Sequence, residues 1–194
     1  MKTSIVIILT FACASVFAQG RFMIGADFGG TFTKDHNTLA SPGETSVYQT
    51  NLLYGFEADY EFDDTYTVRA QFFPNERGGL ARLETYDYTY SIGLSHNDFL
   101  DIPVTVKYNA IGTNVKGYIY GGPFLSIHTS GVAVFSNPNF GITAGVGAYR
   151  PNQILSYFAE AGYAFGLVNL SREPSIRAFS RDIRINAGLL LTLE

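Results

Sequence analysis

Cysteine is almost missing from this chain. The one cysteine, Cys13, lies in an apolar stretch near the amino terminus, and reading that stretch as an export signal removes it from the mature protein. No disulfide then holds the fold, and thiol-based metal or redox chemistry is excluded. Long apolar runs are lacking too. Ile5 to Phe11 is apolar apart from Thr10, well short of the roughly 20 residues a membrane-spanning helix needs, and nothing longer follows. Charge is sparse, at 15% of residues, with a formal net charge of −4 that becomes −5 once Lys2 leaves with the signal. That balance gives no footing for a nucleic-acid partner, and none is expected.

The first residues have the order of an export signal. Lys2 supplies a positive start, the apolar run follows, and Val16-Phe17-Ala18 ends on a small residue. Cleavage is expected before Gln19, leaving residues 1–18 as signal peptide and 19–194 as one domain. Cys13 follows Ala12, but Thr10 and Phe11 suit a lipoprotein signal poorly.

What the chain does have is aromatic and small: 13 Tyr, 16 Phe and 20 Gly. Helical periodicity is weak throughout, whereas period-two alternation recurs in segments separated by turn residues. Strands are predicted at Arg21–Thr33, Asn51–Glu61, Thr65–Phe73, Phe99–Asn109, Val115–His128, Asn139–Tyr149, Ile154–Asn169 and Arg181–Leu193. Tyr86, Tyr88 and Tyr90 also alternate, so the stretch 82–97 is expected to extend the fourth strand outward. Connections alternate in length. Phe62–Asp64, Ala110–Asn114 and Arg150–Gln153 are short; Lys34–Thr50, Pro74–Asn97, Thr129–Pro138 and Leu170–Ser180 are long. Short inner turns against long outer loops mark outer-membrane barrels. A spanning chain without apolar helices must close its strands into a barrel, because lipid cannot bond to an open edge. The expectation is an all-β, eight-stranded antiparallel up-and-down transmembrane β-barrel in the outer membrane of a Gram-negative cell, with bilayer lipid as its first partner.

The alternation assigns faces. In the second strand Leu52, Tyr54, Phe56, Ala58 and Tyr60 share one side, while Leu53, Gly55, Glu57, Asp59 and Glu61 share the other. Charge is costly on the lipid side, so the second set faces in. By the same logic Arg69, Lys107, Glu160, Asp182 and Arg184 point inward. The strand Val115–His128 has bulky residues on both faces and stays ambiguous. An interior network is expected from Glu57, Asp59, Glu61, Glu160 and Asp182 against Arg69, Lys107 and Arg184, with the two signs in similar number. A turn at Phe62–Asp64 would pair Glu57 with Arg69 and Asp59 with Thr67. Eight strands enclose room only for their own side chains, so this network reads as a plug of ion pairs and hydrogen bonds. An ion path or a proton-linked switch is the sharper alternative.

Several segments in order resemble the PorT-like outer-membrane β-barrel domain family, among small barrels of the OmpA and OmpX kind. They are Leu100-Asp101-Ile102-Pro103-Val104-Thr105-Val106-Lys107-Tyr108, then Gly121-Gly122-Pro123-Phe124, Gly141 to Gly147, Gly162 to Asn169, and Asn186-Ala187-Gly188-Leu189. The resemblance implies the barrel and its location. For PorT itself it implies a link to protein export, and for most members no one activity. The chain departs from the pattern at Ala161-Gly162-Tyr163, which lacks a basic residue, and at its close, Leu191-Thr192-Leu193-Glu194, which lacks a final aromatic.

Other chemistry finds little support. Ser126 and His128 lie two apart near the rim and could be read as a hydrolase pair acting on lipid, but a triad is recognised by geometry rather than spacing. Gly141 to Gly147 is glycine-rich, yet it lies in a strand, where glycine relieves crowding and does not cradle phosphate. Asp35, Glu44 and Glu76 show no calcium-loop spacing, and Arg172 and Arg177 read as a solvated loop that could also meet anionic headgroups. No metal or cofactor is expected. The leading functional expectation is a structural or interaction barrel that presents its outer loops to envelope or surface protein partners, in support of envelope assembly or protein secretion. The alternatives are a lipid-modifying barrel enzyme and a soluble lipocalin-like carrier.

Overall fold

The computed structural model describes residues 20–37, 44–46, 49–77, 80–85, 88–93, 97–110, 112, 114–130, 138–169 and 178–193; the expected signal lies outside them. Eight long strands form the wall: β1 (Arg21–Asn37), β3 (Gln49–Glu61), β4 (Tyr66–Arg77), β7 (Asn97–Asn109), β8 (Lys116–Ser130), β9 (Asn139–Arg150), β10 (Leu155–Gly166) and β11 (Ala178–Leu193). Three short ones, β2 (Glu44–Ser46), β5 (Leu80–Thr85) and β6 (Tyr88–Gly93), lie outside it. The eight pair antiparallel in the closed order β1-β11-β10-β9-β8-β7-β4-β3, and β3 returns to β1. Closure gives every wall strand two neighbours, so the ladder satisfies most of the backbone where lipid cannot.

Alternation sorts the side chains as the sequence implies. Leu52, Tyr54, Phe56, Tyr66, Val104, Val106, Tyr108, Tyr157, Ile185 and Leu189 are exposed, while Glu57, Asp59, Thr67, Arg69, Thr105, Lys107 and Glu160 are buried. The interior is polar and the outer face apolar, the reverse of a lipocalin-like carrier. At the short-turn end, Tyr66 stacks edge-on against its cross-strand partner Tyr108 at 5.5 Å, and Tyr60 meets Phe62 at 4.7 Å. Amphipathic rings at this level suit the membrane interface.

Four expectations need correction. First, the strands outrun the hydrophobic band. Lys34 to Asn37 still pair with Arg181 to Ala178, and Pro74 to Arg77 with Leu100 to Asn97, so these residues are wall and not loop. Alternation fades above the membrane because nothing there demands an apolar face, but the ladder continues. Second, the stretch 82–97 does not simply lengthen the fourth barrel strand. β5 and β6 form their own hairpin, which joins β2 in a separate three-stranded sheet. Third, the first hairpin turns one residue later than expected. Asp63 Oδ1 accepts hydrogen bonds from the backbone N–H groups of Thr65 and Tyr66, both at 2.8 Å, and Phe62, just past β3, donates its backbone N–H to Tyr66 O at 3.0 Å. Asp59 therefore sits opposite Arg69, and Glu57 opposite Gln71.

Fourth, β8 is not ambiguous. Tyr118, Tyr120 and Phe124 point inward, and each lies opposite a glycine of β9: Gly147, Gly145 and Gly141. A Cβ on Gly147 would lie 2.3 Å from the Tyr118 ring, and one on Gly141 2.2 Å from Phe124. Glycine thus opens room for a neighbouring aromatic that fills the narrow interior. Phe158 opposite Gly188 repeats the device on β10 and β11.

Candidate functional site

The barrel interior is where this chain concentrates charge. Its lower, short-turn half is built around Arg69, which is wholly buried. Arg69 Nη1 lies 2.6 Å from Glu160 Oε2, and Nε lies 3.1 Å from Glu57 Oε2 and 3.3 Å from Asp59 Oδ1. The Tyr118 hydroxyl donates to the same Glu160 oxygen at 2.7 Å. Aromatic faces surround the guanidinium, with the rings of Phe158, Tyr118 and Tyr120 at 5.3, 5.7 and 5.8 Å. Lys107 closes the cluster by pairing with Asp59. Buried charge of this kind persists only when paired and hydrogen-bonded.

Two amides tie this cluster to the middle of the barrel. Gln71 Nε2 donates to Glu57 at 3.3 Å and to Asp27 at 3.4 Å, and Asn186 Nδ2 donates to Asp27 at 3.1 Å and to Glu160 at 3.2 Å. Higher up, Arg184 Nη2 lies 2.6 Å from Asp101 Oδ2 and 3.4 Å from Asp182 Oδ2, with the Phe73 ring 5.5 Å away. Asn75 donates to the same Asp101 oxygen at 3.0 Å.

Of the eight residues expected in the interior network, seven lie in these two clusters. Glu61 stands apart at the lower rim, 4.0 Å from the exposed Arg21. The expected network left out Asp27, Asp101 and Tyr118; Gln71 and Asn186 face inward as the alternation implies, but their bridging role was not foreseen. Parity could have found Asp27, since Phe22, Ile24 and Phe28 take the lipid face of β1. It could equally have placed Asp101, two residues before the inward Pro103. With Asp27 and Asp101 included, the charges are not balanced. Asp27, Glu57, Asp59, Glu61, Asp101, Glu160 and Asp182 are buried against Arg69, Lys107 and Arg184. The expected parity of signs is therefore corrected to an acidic excess.

Ser126 and His128 both point to the inside of β8. Ser126 is wholly buried there, and His128 stacks on Phe99 at 5.1 Å. His96, Arg172 and Arg177 lie outside the described residues. Among the described residues no group of His, Cys, Asp and Glu has the arrangement of a metal site.

No protein-family model matches the chain, and no curated protein does. Solved structures do. The chain is similar to the outer membrane protein OprG from Pseudomonas aeruginosa, at 13% identity and a TM-score of 0.62, over 90% of this chain and 96% of that one. It is similar to Neisserial surface protein A, at 16% identity and a TM-score of 0.56, over 88% and 96%. It is also similar to the outer membrane protein AlkL, at 13% identity and a TM-score of 0.59, over 91% of each chain. At such identities the likeness is one of fold, and the tie to PorT-like proteins in particular rests on the sequence segments alone. Together, the closed wall, the apolar outer face and these likenesses establish the chain as a small eight-stranded β-barrel of the outer-membrane type.

Proposed function

We propose that this protein is a closed, non-enzymatic anchor in the outer membrane that holds the β2–β5–β6 sheet at the cell surface for a protein partner. One contrast carries the reading. The interior is occupied by buried side chains bonded to one another, from Arg69 and Glu160 to Arg184 and Asp101, which leaves the barrel little means of acting through its lumen. At the other end, the chain builds a separate sheet outside the wall. Binding functions gather on segments held out by a rigid scaffold. A role in envelope assembly or protein secretion, which the PorT-like resemblance implies, is the particular form of this reading. The burial of Ser126 inside the wall speaks against a lipid-modifying enzyme, whose nucleophile would have to reach lipid.

The test replaces residues 80–93 with a short Gly-Ser turn in the full chain. The variant should keep its heat-dependent gel shift in outer membranes and lose the proteins that chemical cross-linking joins to the wild type. An unchanged cross-linking pattern would end the proposal, as would a changed lipid composition in a Ser126→Ala strain.

A further inference from the structure

Above the apolar band, the outer face of the wall carries two basic residues at directly opposed positions. Arg181 alternates with the buried Ser180 and Asp182, and it shares its face of β11 with the exposed Ile183, Ile185 and Leu189. Its register partner on β1 is Lys34, which has the parity of the lipid-facing Phe22, Ile24 and Phe28. Like charges set opposite each other on one face repel, so an anion bound between them would relieve a cost. Among the described residues no carboxylate pairs with Arg181, and its buried Nε meets no acceptor. Its partner on the other side is Phe165 of β10, whose ring centre lies 5.5 Å from the guanidinium. One step further down, Phe32, Ile183 and Tyr163 carry the apolar face across the same three strands.

Below this level the lipid face opens a shallow groove. Small side chains, Ala159 and Ala161 on β10 and Ala187 on β11, lie low between the larger Phe28 on β1 and Val146 on β9. Gly30, opposite Ile185, leaves further room, since a Cβ there would meet nothing closer than 3.9 Å. Ala187 lies about 20 Å down β11 from Arg181 at the ordinary rise of a strand. A cationic position above an apolar groove is the order in which a lipid presents its headgroup and its chain.

We propose that this column of the outer face, on β10, β11 and β1, binds an outer-leaflet lipid with a phosphomonoester headgroup, of the lipid A class. The phosphate lies between Arg181 and Lys34, and one acyl chain runs down into the groove. Charge selects the headgroup. Two cations match a phosphomonoester, which carries about −1.5 to −2 at neutral pH, better than a singly charged phosphodiester. The planar fork of arginine suits phosphate oxygens, and the Phe165 ring holds that fork against the wall. Position selects the leaflet, because the pair lies at the long-loop end of the strands. Arg150 supplies the contrast: it is exposed at the short-turn end of β9, opposite Tyr157 and with no second cation as register partner.

Native mass spectrometry of the folded protein in detergent, titrated with lipid A, provides the test. The wild type should bind lipid A at least about 10-fold more tightly than phosphatidylglycerol or lipid A stripped of its phosphates, the scale of one charge-assisted contact. Arg181→Gln and Lys34→Gln should each lower that affinity about 10-fold, and Arg150→Gln should leave it unchanged. Ala161→Phe should weaken binding by filling the groove, while the preference for the phosphorylated lipid stays. A heat-dependent gel shift shows that each variant is folded. Wild-type affinity in folded Arg181→Gln would overturn the proposal. So would equal binding of dephosphorylated lipid A or of phosphatidylglycerol by the wild type, a comparison that holds even if no variant folds.

Discussion

The two halves of this barrel are built to different standards. In the lower half, near the short turns, the ladders run unbroken and the interior is tightly filled. Arg69 holds three carboxylates, and Tyr118 and Tyr120 lie in hollows left by Gly147 and Gly145. From mid-height upward, three seams lose bonds at Pro74, Pro103 and Pro123, whereas buried oxygens without partners occur in both halves, at Thr31 and Thr33 above and at Glu57, Asn109 and Thr192 below. By contrast, the seam between the first and last wall strands is continuous from Phe22↔Leu193 to Asn37↔Ala178. The weak line of the wall is therefore set by where proline falls, and not by where the chain closes on itself.

The difference can be broken most forcefully at Arg69. Arg69→Ala leaves Glu160, Glu57 and Asp59 buried around an empty centre and should cost about 3–5 kcal/mol, read by urea titration in lipid vesicles. The same variant in planar bilayers should show no steady porin-like current; such a current would count against a filled interior. Arg184→Ala, in the upper half, leaves fewer carboxylates uncompensated and should cost about 2–3 kcal/mol, in the range of charge-assisted hydrogen bonds. If it costs more than Arg69→Ala, the ranking of the halves is wrong.

Smaller changes sharpen the contrast. Gly145→Ala places a Cβ 2.5 Å from both the Tyr120 ring and the Ala161 carbonyl oxygen, and should cost about 1–3 kcal/mol by overpacking. Gly30→Ala, whose Cβ meets nothing closer than Asn51 O at 3.9 Å, should be close to neutral in the same titration. Smallest, Pro74→Thr returns one backbone donor to the β3–β4 seam and should stabilise by about 1 kcal/mol, the net worth of a hydrogen bond. A loss of stability there would mean that Pro74 is needed for packing and does not limit the seam.

Particular residues show how far the sequence could be read. The faces of β3, β4, β7, β10 and β11 were legible because lipid on one side and a crowded interior on the other leave a strand only one orientation. The register of the first hairpin was not, because it depends on the Asp63 carboxylate capping Thr65 and Tyr66, which moves every cross-strand partner by two residues. β8 was unreadable alone, since its inward aromatics make sense only against glycines of another strand. The β5–β6 hairpin was hidden because Tyr86, Tyr88 and Tyr90 alternate as a wall strand would.

By itself, then, the sequence determined an all-β chain of eight wall strands, its lipid face, and most of the charges that turn inward, because period-two alternation in a bilayer is a strong local constraint. The tertiary structure alone decided which charges meet. Arg69 and Glu160 are far apart in the chain and come within 2.6 Å only through barrel closure. It also decided that, among the described residues, the β3–β4 ladder stops at Phe56↔Phe72 and pairing of the same two segments returns only at Ser46↔Ala81, between β2 and β5. A proline shows where a donor is missing, but only the paths of both strands determine whether the ladder resumes.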